Sequence, residues 1–129
     1  MIEIRKLSRS FGNLRAVDEL DLDVENEIFG LLGPNGGAGK STTVMMLTTL
    51  LRPSSGTAKV CGYDIVKDSK KVRSKISYVP PQDMAVDRKL TGRENVMLYA
   101  KLYGIQNRNS KVDEVIEMMG GFRTGQATL

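Results

Sequence analysis

The residues best suited to chemistry lie between Glu27 and Thr43, in the stretch EIFGLLGPNGGAGKSTT. Ile28, Phe29, Leu31 and Leu32 lead as an apolar strand into a loop from Gly33 to Gly39, and Lys40-Ser41-Thr42 then opens a helical pattern. A glycine-rich loop placed between a strand and a helix N-terminus binds phosphate, because backbone N–H groups without Cβ obstruction converge on the anion. In such a loop Lys40 reaches the β- and γ-phosphates and the Ser41 hydroxyl ligates Mg²⁺. The competing reading is a glycine-rich turn with no ligand. Gly-Lys-Ser-Thr between a buried strand and a helix is the context that favours phosphate binding.

The loop departs from the strict phosphate-loop pattern, which has four residues between its first glycine and Gly-Lys. Here five residues separate Gly33 from Gly39. One more residue adds at most a few tenths of a kcal/mol of closure entropy, roughly, by logarithmic length scaling. Register matters more: each charge-assisted hydrogen bond to phosphate that is lost costs about 1.5–3 kcal/mol, or roughly tenfold or more in affinity. Gly36 or Gly37 is the inserted residue, and glycine is the type best able to rearrange.

The rest of the composition removes other chemistries. The chain has no histidine, so no imidazole base or ligand. Its single cysteine, Cys61, excludes an intramolecular disulfide and a cysteine-cluster metal site, and reads as a small residue in or beside a strand. The 129 residues amount to one domain's worth of chain, with no internal repeat, low-complexity tract or domain boundary. No apolar run reaches membrane-spanning length and the opening residues do not form a signal peptide, which leads to the expectation of a cytoplasmic protein. The net charge of +4 is dispersed. The cluster Lys67, Lys70, Lys71, Arg73 and Lys75 has no aromatic residues interleaved, so it reads as mild anion attraction and not as a nucleic-acid face.

Elements must position the loop. Residues 2–7 and 20–24 alternate apolar and polar, as half-buried antiparallel strands do, with Phe11-Gly12 at a turn between them. After the loop, Val44, Met46, Leu47, Leu50 and Leu51 follow helical spacing. Met45 makes that helix apolar nearly all round, predicting burial up to a stop at Arg52-Pro53. Residues 57–61 read as a strand, 69–75 as a short helix, and 76–79 as a strand stopped by Pro80-Pro81. Thr91-x-x-Glu94 is a capping box for a helix carrying Val96, Tyr99 and Tyr103. Ser110-x-x-Asp113 resembles another helix start, and Gly120-Gly121 stops it.

GPNGGAGKSTT, SSGTAKVCGYDI, ISYVPPQ and LTGRENV, in this order and spacing, closely resemble the nucleotide-binding domain of an ABC transporter. The likeness is strongest to the ATP-binding subunits of drug-resistance exporters of the ABC-2 type, and it covers residues 1 to about 119. The resemblance implies an α/β chain of P-loop NTPase fold, with an antiparallel β portion, a P-loop strand and helix, and the start of a helical subdomain. It divides the chain into an ATP-binding core (1–82), the start of a helical subdomain (83–121) and a frayed tail (122–129). It places Phe11 where an aromatic stacks on adenine, with Val17 flanking the same base. Gly33, Asn35, Gly36, Gly37, Gly39, Lys40, Ser41 and Thr42 then form the phosphate loop. Gln82 stands where the family's glutamine contacts Mg²⁺ or the attacking water and links the site to a transmembrane permease. Lys40 and Gln82 are thus the candidate catalytic residues, and Ser41 and Gln82 the candidate Mg²⁺ ligands.

Two further departures accompany the long loop: one extra proline at Pro80-Pro81, and Asn26 where the family usually has glycine. The family's LSGGQ signature, its later Asp-Glu strand end and its switch histidine do not occur in this sequence. The resemblance therefore implies the first half of such a domain, one that binds ATP with little or no hydrolysis. It implies a place on the inner face of the membrane and head-to-tail pairing with a second nucleotide-binding domain. The alternative is a non-enzymatic nucleotide-binding fragment or an inactive remnant. A GTPase is disfavoured because no Asn-Lys-x-Asp motif occurs.

Overall fold

The computed structural model describes residues 1–34, 36–37, 39–80 and 86–120. Asn35, Ala38, Pro81, Gln82 and the tail from Gly121 onward, which carry several sequence expectations, lie outside the described residues. The chain forms two compact units, Met1–Tyr78 and Val79–Leu129.

The first unit is built on an antiparallel sheet. β1 (Ile2–Phe11) lies between β2 (Leu14–Val24) and β3 (Ser55–Val60), and the two-residue β4 (Tyr63–Asp64) closes the order β2-β1-β3-β4. The hairpin of β1 and β2 begins at the pair Phe11–Leu14 and ends at Ile2–Val24. Simple alternation would send Ile4 and Lys6 to one face. A bulge corrects this: Lys6 takes a left-handed backbone (φ 47°), so Leu7 joins Ile4 in the core. The Lys6 N–H freed there donates to Asp21 Oδ1 at 2.9 Å, and the Glu19 N–H opposite donates to the buried Ser8 hydroxyl at 2.9 Å. Gly56 of β3 presses on this bulge. A Cβ at Gly56 would lie 2.0 Å from the Lys6 carbonyl oxygen, so no other residue fits.

α1 (Lys40–Leu47) packs Met46 onto Ile4, Leu7, Val17, Ala58 and Val60 of the sheet. α2 (Ser69–Arg73) adds the fully buried Val72. Beyond β4, Asp64 Oδ1 accepts the N–H groups of Val66 and Lys67, both at 2.8 Å. The Lys67 bond, with Val66 behind it, holds this carboxyl below its ordinary range against the opposing effect of partial burial.

Several expectations are corrected here. Residues 28–32 are not a strand: Ile28 is fully exposed and Leu32 is 92% exposed. An apolar strand covered on both faces needs ladder partners, and none of the four described strands lies beside this one. Residues 76–79 are likewise unpaired, with Val79 exposed. α1 ends at Leu47 and does not reach Arg52: the Thr48 hydroxyl donates to the Val44 carbonyl at 2.9 Å and Thr49 turns left-handed (φ 64°). Met45, expected inside, is exposed, because only one stripe of this short helix meets the sheet.

In the second unit, α3 (Gly92–Leu102) and α4 (Arg108–Met118) pair. The capping box at the head of α3 forms in both directions between Thr91 and Glu94. α4 starts at Arg108 behind a left-handed Asn107 and not at Ser110. Val112 is buried, and Arg93 pairs with Asp113 across the two helices. Asn95 is buried on α3. Its amide donates to the Asp87, Leu90 and Thr91 carbonyls at 3.0, 3.2 and 3.1 Å, and its oxygen accepts the Asp87 N–H at 2.8 Å. It pins the turn that leads into the helix.

Candidate phosphate-binding site

An open depression of about 290 Å³ in the first unit is lined by Phe11, Leu14, Ala16, Gly36, Gly37, Gly39, Lys40, Ser41 and Thr42. One wall is the tip of the β1–β2 hairpin. The floor is the glycine loop and the first turn of α1.

The loop's geometry depends on its glycines. Gly36 (φ 77°) and Gly37 (φ 82°) are consecutive left-handed residues with open space where a Cβ would stand. At both positions a residue with a Cβ would be strained whatever the space. Gly39 (φ 71°) precedes α1 directly, and its carbonyl accepts the Thr43 N–H at 2.8 Å. A Cβ on Gly39 would lie 2.3 Å from the Ala16 carbonyl oxygen and 3.0 Å from Val17 Cγ2, so the loop is seated directly on β2.

The head of α1 has no side-chain cap and no acidic residue in its first turn. Its leading N–H groups and the positive end of the helix dipole are therefore directed at the depression without a built-in anion. Lys40 Nζ donates to the Gly33 carbonyl at 3.0 Å and to the Pro34 carbonyl at 2.6 Å, which holds the lysine across the loop. Ser41 is exposed on the same turn and lines the depression. Its hydroxyl oxygen is a hard donor of the kind Mg²⁺ prefers.

Of the residues named from sequence, Phe11, Gly36, Gly37, Gly39, Lys40, Ser41 and Thr42 line one depression. Gly33 meets it through the Lys40 bond. Val17 does not line it. Val17 is 7% exposed and belongs to the core, lying beneath Gly39 and supporting the loop from below. Leu14 and Ala16 were not legible in the sequence as part of the site. Only the pairing of Phe11 with Leu14 at the hairpin end brings them to the same wall. A weak signal was available: Leu14 is an apolar residue directly after the turn Gly12-Asn13.

A glycine-rich loop closed by a lysine at an uncapped helix head defines the P-loop class of nucleotide-binding folds. Residues 17–128 match the ABC transporter family, and the chain belongs to that family. It is 44% identical over 127 residues to the daunorubicin/doxorubicin resistance ATP-binding protein DrrA of Streptomyces peucetius, covering 98% of this chain and 38% of that protein. It is 36% identical to the bacitracin transport ATP-binding protein BcrA of Bacillus licheniformis, covering 93% of this chain and 39% of that protein. A solved ATP-binding subunit of an ABC transporter superposes with a TM-score of 0.71 at 27% identity, covering 86% of this chain and 46% of that one. The fold is that of an ABC ATP-binding cassette, and the chain spans about two fifths of the length of these curated relatives.

Proposed function

We propose that this chain is the ATP-binding portion of an ABC exporter's ATPase subunit, and that Mg-ATP binds in the depression between the hairpin tip and α1. The observation that carries the reading is the convergence of Phe11, the left-handed glycines, Lys40 and an uncapped helix head on one depression. The triphosphate lies along the loop, where backbone N–H groups and the α1 dipole stabilise its charge. Lys40 leaves the Gly33 and Pro34 carbonyls for the β- and γ-phosphates. Phe11 stacks on adenine, which supplies apolar contact at one end of a ligand otherwise held by charge. Ser41 would hold Mg²⁺ through its hydroxyl, and Gln82 would contact Mg²⁺ or the attacking water. When bound there, Mg²⁺ would supply neutralisation of charge on the phosphates.

In the whole protein, a head-to-tail pair of such domains couples ATP binding and hydrolysis to a transmembrane permease at the inner face of the membrane. The relatives' resistance to daunorubicin and doxorubicin, and their transport of bacitracin, point to an antibiotic or drug as cargo. Residues 1–82 act as the ATP-binding core and 83–121 as the start of the helical subdomain facing the permease.

Titration calorimetry with Mg-ATP tests the reading. Micromolar binding that is lost in Lys40→Ala supports it. Absence of binding by folded protein overturns it in favour of a remnant whose lengthened loop no longer forms the cradle. Steady turnover abolished by Lys40→Ala would contradict the expectation of little hydrolysis.

A further inference from the structure

We propose that Arg9 positions the base-stacking ring, holding Phe11 in place and so contributing to affinity for the nucleoside without touching it. This inference rests on the reading of Phe11 as the adenine platform. Arg9 and Phe11 stand two residues apart on β1 and so share a face of the strand. The Arg9 guanidinium carbon lies 4.7 Å from the centroid of the Phe11 ring, a cation–π contact. Phe11 lines the depression, and Arg9 is not among its lining residues.

Arg9 is itself anchored. One of its terminal nitrogens donates to the Arg52 carbonyl at 2.9 Å, and the Ser10 N–H beside it donates to the Ser54 hydroxyl at 3.1 Å. The turn between α1 and β3 thereby holds the guanidinium, and the guanidinium holds the ring. Arg9 Nε is shielded and has no partner among the described residues. Such a group is disfavoured unless the side chain's other contacts fix its place. The arrangement has two consequences for a purine. The ring is preorganised, so less rotamer freedom is lost on stacking. A cation on one face draws electron density from the other, which favours stacking by an electron-rich base.

The test separates base from phosphate. Affinities for Mg-ATP and for Mg-tripolyphosphate, which has no base, are measured on the wild type, Arg9→Gln, Arg9→Lys, Phe11→Ala and the Arg9→Gln/Phe11→Ala double variant. Arg9→Gln should weaken Mg-ATP about three- to tenfold and leave tripolyphosphate unchanged. Arg9→Lys should recover part of the loss, and the double variant should bind ATP no worse than Phe11→Ala alone. Equal weakening of both ligands, or an additive loss in the double variant, overturns the proposal. If Phe11→Ala leaves the ATP-to-tripolyphosphate ratio unchanged, the adenine-stacking reading itself fails and the proposal fails with it.

A second readout needs no nucleotide. The chain has three phenylalanines, so ¹⁹F NMR of protein labelled with 4-fluorophenylalanine gives few signals, and Phe11→Leu identifies that of Phe11. Arg9→Gln should shift and broaden it. An unmoved resonance overturns the contact between the two residues.

Discussion

Gly39 shows how a single residue sets the site. It is left-handed, and the space its Cβ would need is taken by the Ala16 carbonyl and Val17. Gly39→Ala combines the left-handed penalty, about 1–2 kcal/mol, with a steric overlap that forces β2 or the loop to move. We expect a loss of about 2–4 kcal/mol in urea unfolding, together with loss of Mg-ATP binding. A stability change below 0.5 kcal/mol, roughly the scatter of surface substitutions, would show that the loop lifts off β2 freely. Gly37 makes the converse point. It is left-handed in open space, at one of the two positions expected from the sequence to be the inserted residue. Deleting it restores the four-residue spacing and should raise Mg-ATP affinity tenfold or more if one phosphate hydrogen bond returns to register. Unchanged affinity in calorimetry would mean that the five-residue loop already presents its N–H groups correctly.

The start of α3 is the element whose response to pH follows from its contacts. The Thr91 N–H and hydroxyl both donate to Glu94 Oε2 at 2.8 Å, and these bonds, the backbone one foremost, hold the Glu94 carboxyl below its ordinary value of 4.5. A depressed folded value means the stabilisation is fully present above the unfolded value and is lost as pH falls through the folded one. The first turn of α3 should therefore fray as pH drops below about 4.5, seen as faster amide exchange at Gly92–Asn95. Glu94→Gln should remove most of that pH dependence. Exchange in the wild type that is flat from neutral pH to below the carboxylate range would show that the box does not hold the turn. Thr91 and Glu94 were readable from their spacing because both partners of the box lie within one turn. Asn95, one residue on, was not. Whether a helical asparagine faces solvent or pins a buried turn depends on what the chain places beside it.

For the molecule as a whole, the segment entering the loop is the unusual feature. Ile28 and Leu32 are apolar and exposed, and the described strands leave this stretch without a ladder. An exposed, unpaired apolar segment next to a sheet invites association with another chain. Leu32→Lys should raise the soluble yield and reduce concentration-dependent oligomers in sedimentation, with an unfolding midpoint close to that of the wild type. A lower midpoint would show instead that Leu32 contributes to the fold of the monomer.

Local pattern alone was enough to identify the glycine loop with Lys40 and Ser41, the two alternating strands, the capping box at Thr91 and the family to which the chain belongs. Each of these depends on residues close in sequence, or on motifs in fixed order. The tertiary structure decided what depends on contacts between distant segments. Leu14 and Ala16 join Phe11 because the hairpin closes on itself. Val17 lies in the core under Gly39, next to a second irregularity of the hairpin at the left-handed Glu19 (φ 40°), which the alternation of the sequence does not reveal. Residues 28–32 stay out of the sheet because an apolar run becomes a strand only when another strand offers it hydrogen bonds.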